Sequence, residues 1–198
     1  FIQAISKFFL GVIAIGLLIF LPAGTLVYPG AWLFMGILFV PMFIAGVVMM
    51  VKNPKLLKSR LESKEKQKDQ GIIIKLMGLM FFAGFIVAGL DYRFKWLVIS
   101  PIVSYIFAGI FLLGYILWAI VLKQNTYLSR TIEVVEDQKV IDTGLYGVVR
   151  HPMYSATIVL FLSMPLILGS WISFFIFLLY PILIGFRAVN EEKYLVKE

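Results

Sequence analysis

Residues 142–192 decide the fold. They open Asp142-Thr143-Gly144-Leu145-Tyr146-Gly147-Val148-Val149-Arg150-His151-Pro152-Met153-Tyr154 and continue as an apolar run to Leu168. After the break Gly169-Ser170 comes a second apolar run, Trp171 to Phe186, which closes in Arg187-Ala188-Val189-Asn190-Glu191-Glu192. Each run approaches the roughly 17 to 25 helical residues needed to cross a bilayer. Gly169 stands 18 positions after His151 and 18 before Arg187. A break at that midpoint predicts a helical hairpin, which returns the two polar clusters to the same membrane face. Two motifs far apart in the chain become one candidate site.

The surroundings of this hairpin are those of an integral membrane protein. Of the 198 residues, 61% are hydrophobic, and the mean hydropathy is +0.96; soluble domains use roughly 45–50% apolar residues. One all-α, polytopic membrane domain is expected over residues 1–198. The absence of cysteine excludes disulfides, thiolate catalysis and thiolate–metal sites. A single histidine excludes a multi-histidine metal centre, and no metal is expected. The net charge of +7 reads as Lys and Arg gathered in inner loops beside anionic lipid, not as a nucleic-acid surface.

Six spans are predicted, at about 4–21, 31–51, 72–90, 97–122, 152–168 and 171–187. Pro22 ends the first, Pro41 kinks the second, and Pro101 lies in the first turns of the fourth. Lys7 precedes the first apolar run as in a signal peptide, but no small-residue cleavage site follows Pro22, so a retained helix is expected. Residues 52–70 carry Lys52, Lys55, Lys58, Arg60, Lys64, Lys66 and Lys68, with Leu56, Leu57 and Leu61 on one helical face. That pattern predicts a short helix on the membrane surface. Asp91 to Trp96 reads as a tight polar-aromatic loop, and Val134 to Ile141 as a strand-turn-strand or irregular loop.

Six spans leave both termini on one side. If that side is inside, Arg93 and Lys95 are the only basic residues outside and the other 16 of 18 are inside. Basic loop bias then assigns both termini and both polar clusters to the cytoplasmic face. No charge falls at the centre of a span, which speaks against an ion or proton pathway.

Each member of the clusters has an ordinary explanation. Proline suits the first turn of a helix, Arg150 is a common inner-face residue, and Arg187 and Glu191 are spaced to pair along a helix. The functional reading starts from the free N–H groups at the helix start, which favour an anion or the polar edge of a ligand. Arg150 and His151 add directed donors, Tyr154 offers a flat face and a hydroxyl, and Gly144 and Gly147 let backbone approach a ligand closely. Two adjacent acids at a cytoplasmic helix C-terminus oppose both the helix dipole and the charge bias. Glu191 and Glu192 therefore suggest a cationic partner, such as a sulfonium or an α-ammonium group.

The string Gly144-Leu145-Tyr146-Gly147-Val148-Val149-Arg150-His151-Pro152-Met153-Tyr154, followed after a hairpin by Arg187 and Asn190-Glu191-Glu192, resembles the isoprenylcysteine carboxyl methyltransferase family, which is related to phospholipid N-methyltransferases. Upstream, Asn53-Pro54-Lys55-Leu56-Leu57-Lys58-Ser59-Arg60, Leu90-Asp91-Tyr92-Arg93-Phe94 and Asn125-Thr126-Tyr127-Leu128-Ser129-Arg130 look like its prokaryotic members, so a bacterial or archaeal cell membrane is expected. The resemblance implies S-adenosylmethionine as cofactor, held by Gly144, Tyr146, Arg150, His151, Pro152, Tyr154, Glu191 and Glu192. It implies Arg187 beside a lipophilic or lipid-modified methyl acceptor, with membrane lipids around it and no nucleic acid. The chain departs from the family in having Leu145 and Gly147 where many members carry Pro and Arg, and in ending at Lys197-Glu198, where members usually continue with a basic tail.

The residues leave the acceptor and the oligomeric state open. The alternatives are a membrane reductase of sterol-reductase type, although no Gly-x-Gly-x-x-Gly string is present, and a scaffold using the basic segment 52–68.

Overall fold

The structure is a computed structural model and describes residues 2–52, 54, 57–58, 68–97, 99–125 and 141–195. Its helices are α1 (Ile2–Ala23), α2 (Pro29–Lys52), α3 (Lys68–Phe94), α4 (Pro101–Gln124), α5 (Pro152–Ile167), α6 (Trp171–Phe177) and α7 (Leu179–Leu195). A 3-10 turn, Gly144–Gly147, precedes α5. The all-α membrane class is as expected. Most of the surface helix expected over 52–70, all but residue 141 of the strand-turn-strand over 134–141, and Lys197 and Glu198 lie outside the described residues.

Among the described residues, five segments are long and apolar enough to cross a membrane: Gln3–Ala23, Pro29–Lys52, Gln70–Phe94, Pro101–Gln124 and Trp171–Lys193. The expected span over 152–168 is the shorter one. At 16 residues, α5 rises only about 24 Å, less than the hydrocarbon thickness of roughly 30 Å. Chain chemistry sets that length. Pro152 occupies the first helical position, where no N–H is needed. At the other end Gly169 adopts φ 82°, Ser170 N–H bonds Pro165 O at 3.0 Å and Gly169 N–H bonds Leu166 O at 3.2 Å. This is a Schellman closure, which needs a residue tolerant of positive φ.

The returning arm is broken once, between α6 and α7. Pro181 has no N–H for the Phe177 carbonyl and its ring crowds that oxygen, so helix geometry lapses at Leu178. Beyond the break α7 runs on to Leu195, placing Arg187, Glu191 and Glu192 on the helix itself. A second correction concerns Asp91 to Trp96, expected as a loop. Asp91 to Phe94 is the last turn of α3, because the Asp91 carboxylate is buried and accepts from Leu97 N–H at 2.8 Å and from Ser170 Oγ at 2.5 Å. Lys95, at φ 53°, then ends the helix.

The tip of the hairpin is bound to the start of α2, to α4 and to the connection that precedes α4. Tyr28 donates to Leu168 O at 2.5 Å, Ser104 to Leu166 O at 3.1 Å, and Ile99 N–H to Gly169 O at 3.2 Å. Tyr28 also stacks on Tyr92, with ring centroids 3.8 Å apart. Farther along, α5 packs along α4 and α1 along α3. At Gly89 the α1–α3 approach is so close that a Cβ would lie 2.5 Å from Ile19 O and 3.1 Å from Ala23 N. Gly89→Ala must therefore push two backbones apart and is expected to cost about 1–3 kcal/mol. Thermal unfolding in detergent checks this against Gly78→Ala, whose Cβ meets nothing within 4 Å.

Candidate functional site

The site lies at the open end of the hairpin. His151 caps α5 with a non-helical backbone, φ −122° and ψ 66°, and Ser155 N–H bonds its carbonyl at 3.1 Å. That cap aims the imidazole across to α7, where Nε2 lies 3.0 Å from Glu192 Oε1. Arg150 Nη1 lies 3.7 Å from the same oxygen, but its side chain is 87% exposed, so this pair contributes little to stability. One turn into α5 the Tyr154 hydroxyl donates to Glu191 Oε2. The His151 and Tyr154 rings lie nearly parallel, 5.3 Å apart at 20°. The two adjacent acids thus meet two successive polar residues of the opposite arm.

On α7 the interior face repeats at helical spacing through Tyr180, Ile184, Arg187 and Glu191. The first three are buried, Arg187 to 8% exposure. A buried guanidinium needs partners, since desolvation of a charge is costly. Its side chain reaches the Tyr154 hydroxyl. Behind it Tyr180 donates to Thr157 Oγ1 at 2.8 Å, and Thr157 Oγ1 donates to Tyr154 O at 2.9 Å. From α3, Gln70 Nε2 donates to Arg187 O at 3.4 Å.

The structure therefore brings Arg150, His151, Tyr154, Arg187, Glu191 and Glu192 together, with Pro152 buried at the start of α5. Gly144 and Tyr146 are tied instead to the end of α4. Gly144, at φ 63°, has the Gln124 side chain where a Cβ would project, 2.3 Å from it. Leu145 N–H bonds Gln124 Oε1 at 3.1 Å, and Asn125 Nδ2 donates to the Tyr146 hydroxyl at 3.0 Å. Sequence reasoning missed Gln70, Gln124, Thr157 and Tyr180 as parts of this region. Tyr180 was open to discovery, because it precedes Arg187 by seven positions, two helical turns on the same face. Gln70 was hidden at the end of a strongly charged segment.

A helical membrane protein with a polar, acid-lined site at one end of a hairpin is the class that fold and site define. Residues 105–197 match the family model described as the isoprenylcysteine carboxyl methyltransferase (ICMT) family. The matched segment includes the polar contacts described between α5 and α7, and the resemblance lies over it. No curated protein and no solved structure matches the chain.

Proposed function

We propose that the protein transfers a methyl group from S-adenosylmethionine to a lipid-like acceptor, a carboxylate, at the cytoplasmic membrane face. The observation that carries this is the meeting of Glu191 and Glu192 with Tyr154 and His151 across the hairpin. The donor set fits such a cofactor: two acids suit its cationic groups, Arg150, His151 and the free N–H groups of α5 suit its carboxylate, and the Tyr154 ring offers a stacking face. Once bound, the cofactor supplies a methyl group on a sulfonium that leaves as a neutral thioether.

The chain's own contribution is alignment and the exclusion of water. Arg187, buried on the inner face of α7, is suited to hold an acceptor carboxylate through its planar fork. A carboxylate is ionised at neutral pH, so no general base is needed. The concentration of basic residues in the loops on the site's side supports the cytoplasmic orientation.

Calorimetry on purified protein tests the cofactor. S-adenosylhomocysteine is expected to bind, and His151→Ala to weaken it roughly tenfold through loss of one hydrogen bond to a charged group. Absence of binding by the unmodified protein removes the cofactor assignment. Thermal shifts with S-adenosylhomocysteine and with NADPH, run side by side, separate a methyltransferase from a reductase. Labelled S-adenosylmethionine incubated with lipid extract, with mass analysis of the product, identifies the acceptor.

A further inference from the structure

Of the string Asp91-Tyr92-Arg93, the hairpin tip engages the first two residues. Asp91 holds Leu97 and Ser170, and the Tyr92 hydroxyl donates to Val27 O at 2.6 Å. Arg93 has no such duty. Its guanidinium lies over the end of α1, with Cζ and Nη1 each 3.4 Å from where a Cβ on Gly24 would project, and Cζ is 5.4 Å from the Phe94 ring centroid. Among the described residues its side chain makes no ion pair and no hydrogen bond. Nor is its charge balanced nearby. Residues 14–41, 82–113 and 160–180, which build this half of the bundle, contain three charged side chains: Asp91, Arg93 and Lys95. Asp91 is buried with both oxygens engaged, whereas Arg93 and Lys95 are exposed.

A groove of about 480 Å³ runs between α1 and α3 toward this charge, with wholly apolar walls. Ala14, Leu17, Leu21 and Pro22 line it from α1, and Phe82 and Ile86 from α3. Leu17, Leu21 and Phe82 are each more than half exposed, so the groove opens sideways into the bilayer. Phe82, Ile86, Gly89 and Arg93 follow one another at helical spacing, which puts the groove and the guanidinium on one face of α3. Gly89 fixes that face toward α1, since a Cβ there would lie 3.0 Å from Pro22 Cβ. Ala14 to Pro22 rises about 12 Å, most of one leaflet of a hydrocarbon core roughly 30 Å thick. The groove thus covers one leaflet and ends at Pro22, two residues before the glycine under Arg93.

We propose that this is a binding site for a phospholipid with an anionic head group. One acyl chain lies in the groove, and Arg93 holds the phosphate through its planar fork. Lys95 and the lack of an accessible acid give the rim a net positive charge, which favours an anionic head group over one carrying an ammonium. The site is at the end of the bundle opposite the His151–Glu192 contact and does not depend on the methyl-transfer reading.

The test is native mass spectrometry of the full chain in detergent, with dioleoylphosphatidylglycerol, dioleoylphosphatidylcholine and glycerol 3-phosphate as probes. One phosphatidylglycerol per chain is expected to bind roughly tenfold more tightly than phosphatidylcholine, the scale set by two basic residues beside one anionic charge. Glycerol 3-phosphate, which has no chain for the groove, is expected not to bind. Arg93→Gln is expected to weaken phosphatidylglycerol about tenfold through loss of a hydrogen bond to a charged group. Ala14→Phe, which narrows the groove at an exposed position, is expected to weaken it as well. Equal binding of the two phospholipids, uptake that does not saturate at one lipid per chain, or glycerol 3-phosphate bound as tightly as the lipid overturns the proposal. So does unchanged phosphatidylglycerol affinity in either variant. The comparison of probes on the wild type requires no variant, so it decides even if a variant fails to fold.

Discussion

Arg187→Lys is expected to lower turnover of a carboxylate acceptor by roughly tenfold to hundredfold while leaving S-adenosylhomocysteine binding as it is. The argument starts from the two side chains. Arginine presents a rigid planar fork that meets both oxygens of a carboxylate, whereas lysine offers a compact point charge on a flexible stem. Charge is conserved, so the difference isolates the second, directed hydrogen bond. A hydrogen bond to a charged group is worth about 1.5–3 kcal/mol, which converts to the stated range in rate. The position favours a large effect. Arg187 is 8% exposed, its carbonyl is held by Gln70, and its side chain reaches Tyr154, so a shorter or floppier cation has little room to compensate. In the proposed site, cofactor binding would draw on Glu191, Glu192 and His151 instead, which is why it serves as the internal control. Equal turnover in wild type and variant retires the acid-acceptor mechanism, since a protonated amine gains nothing from a fork.

The hairpin could be read in advance because its evidence is local and redundant. Gly169 sits midway between two polar clusters, and the residues on either side are too apolar to be anything but buried or lipid-facing. Helix periodicity then carries Tyr154 and Glu191 to the same end. What could not be read depends on contacts between distant parts of the chain. Asp91 to Phe94 looks like a polar turn, yet it stays helical because Ser170, far away in sequence, takes one oxygen of the Asp91 carboxylate. Hydropathy counts apolar residues and does not register that a Schellman closure ends α5 after 16 residues. Gln70 gave no signal, since a glutamine after a basic run is ordinarily a solvated residue. Its burial is imposed by α7, which packs against α3.

Asp91→Ala is expected to cost about 2–5 kcal/mol of stability and to leave the site's binding behaviour intact. Asp91 is 1% exposed, and each of its oxygens has a donor: Leu97 N–H at 2.8 Å and Ser170 Oγ at 2.5 Å. Removing the carboxylate strands the hydroxyl of Ser170, itself 1% exposed, and frees the turn that follows α3. Each lost bond to a charged group is worth about 1.5–3 kcal/mol. Ser170 also caps α6, with Ser173 N–H donating to its oxygen at 3.1 Å, so the loosened hydroxyl sits at the first turn of the returning arm. Asp91→Asn retains an oxygen for Leu97 and an N–H for Ser170, and is expected to recover about half of the loss. Thermal unfolding in detergent orders the three proteins as wild type, Asn, Ala. The contacts of His151 and Tyr154 with the acids of α7 lie at the opposite end of the hairpin from this knot. Below its melting temperature the Ala variant should therefore bind S-adenosylhomocysteine as the wild type does. A variant that melts with the wild type would show that Tyr28, Ser104 and Ile99 hold the tip without help from Asp91. One that melts normally but loses ligand binding would place Asp91 in the chemistry instead.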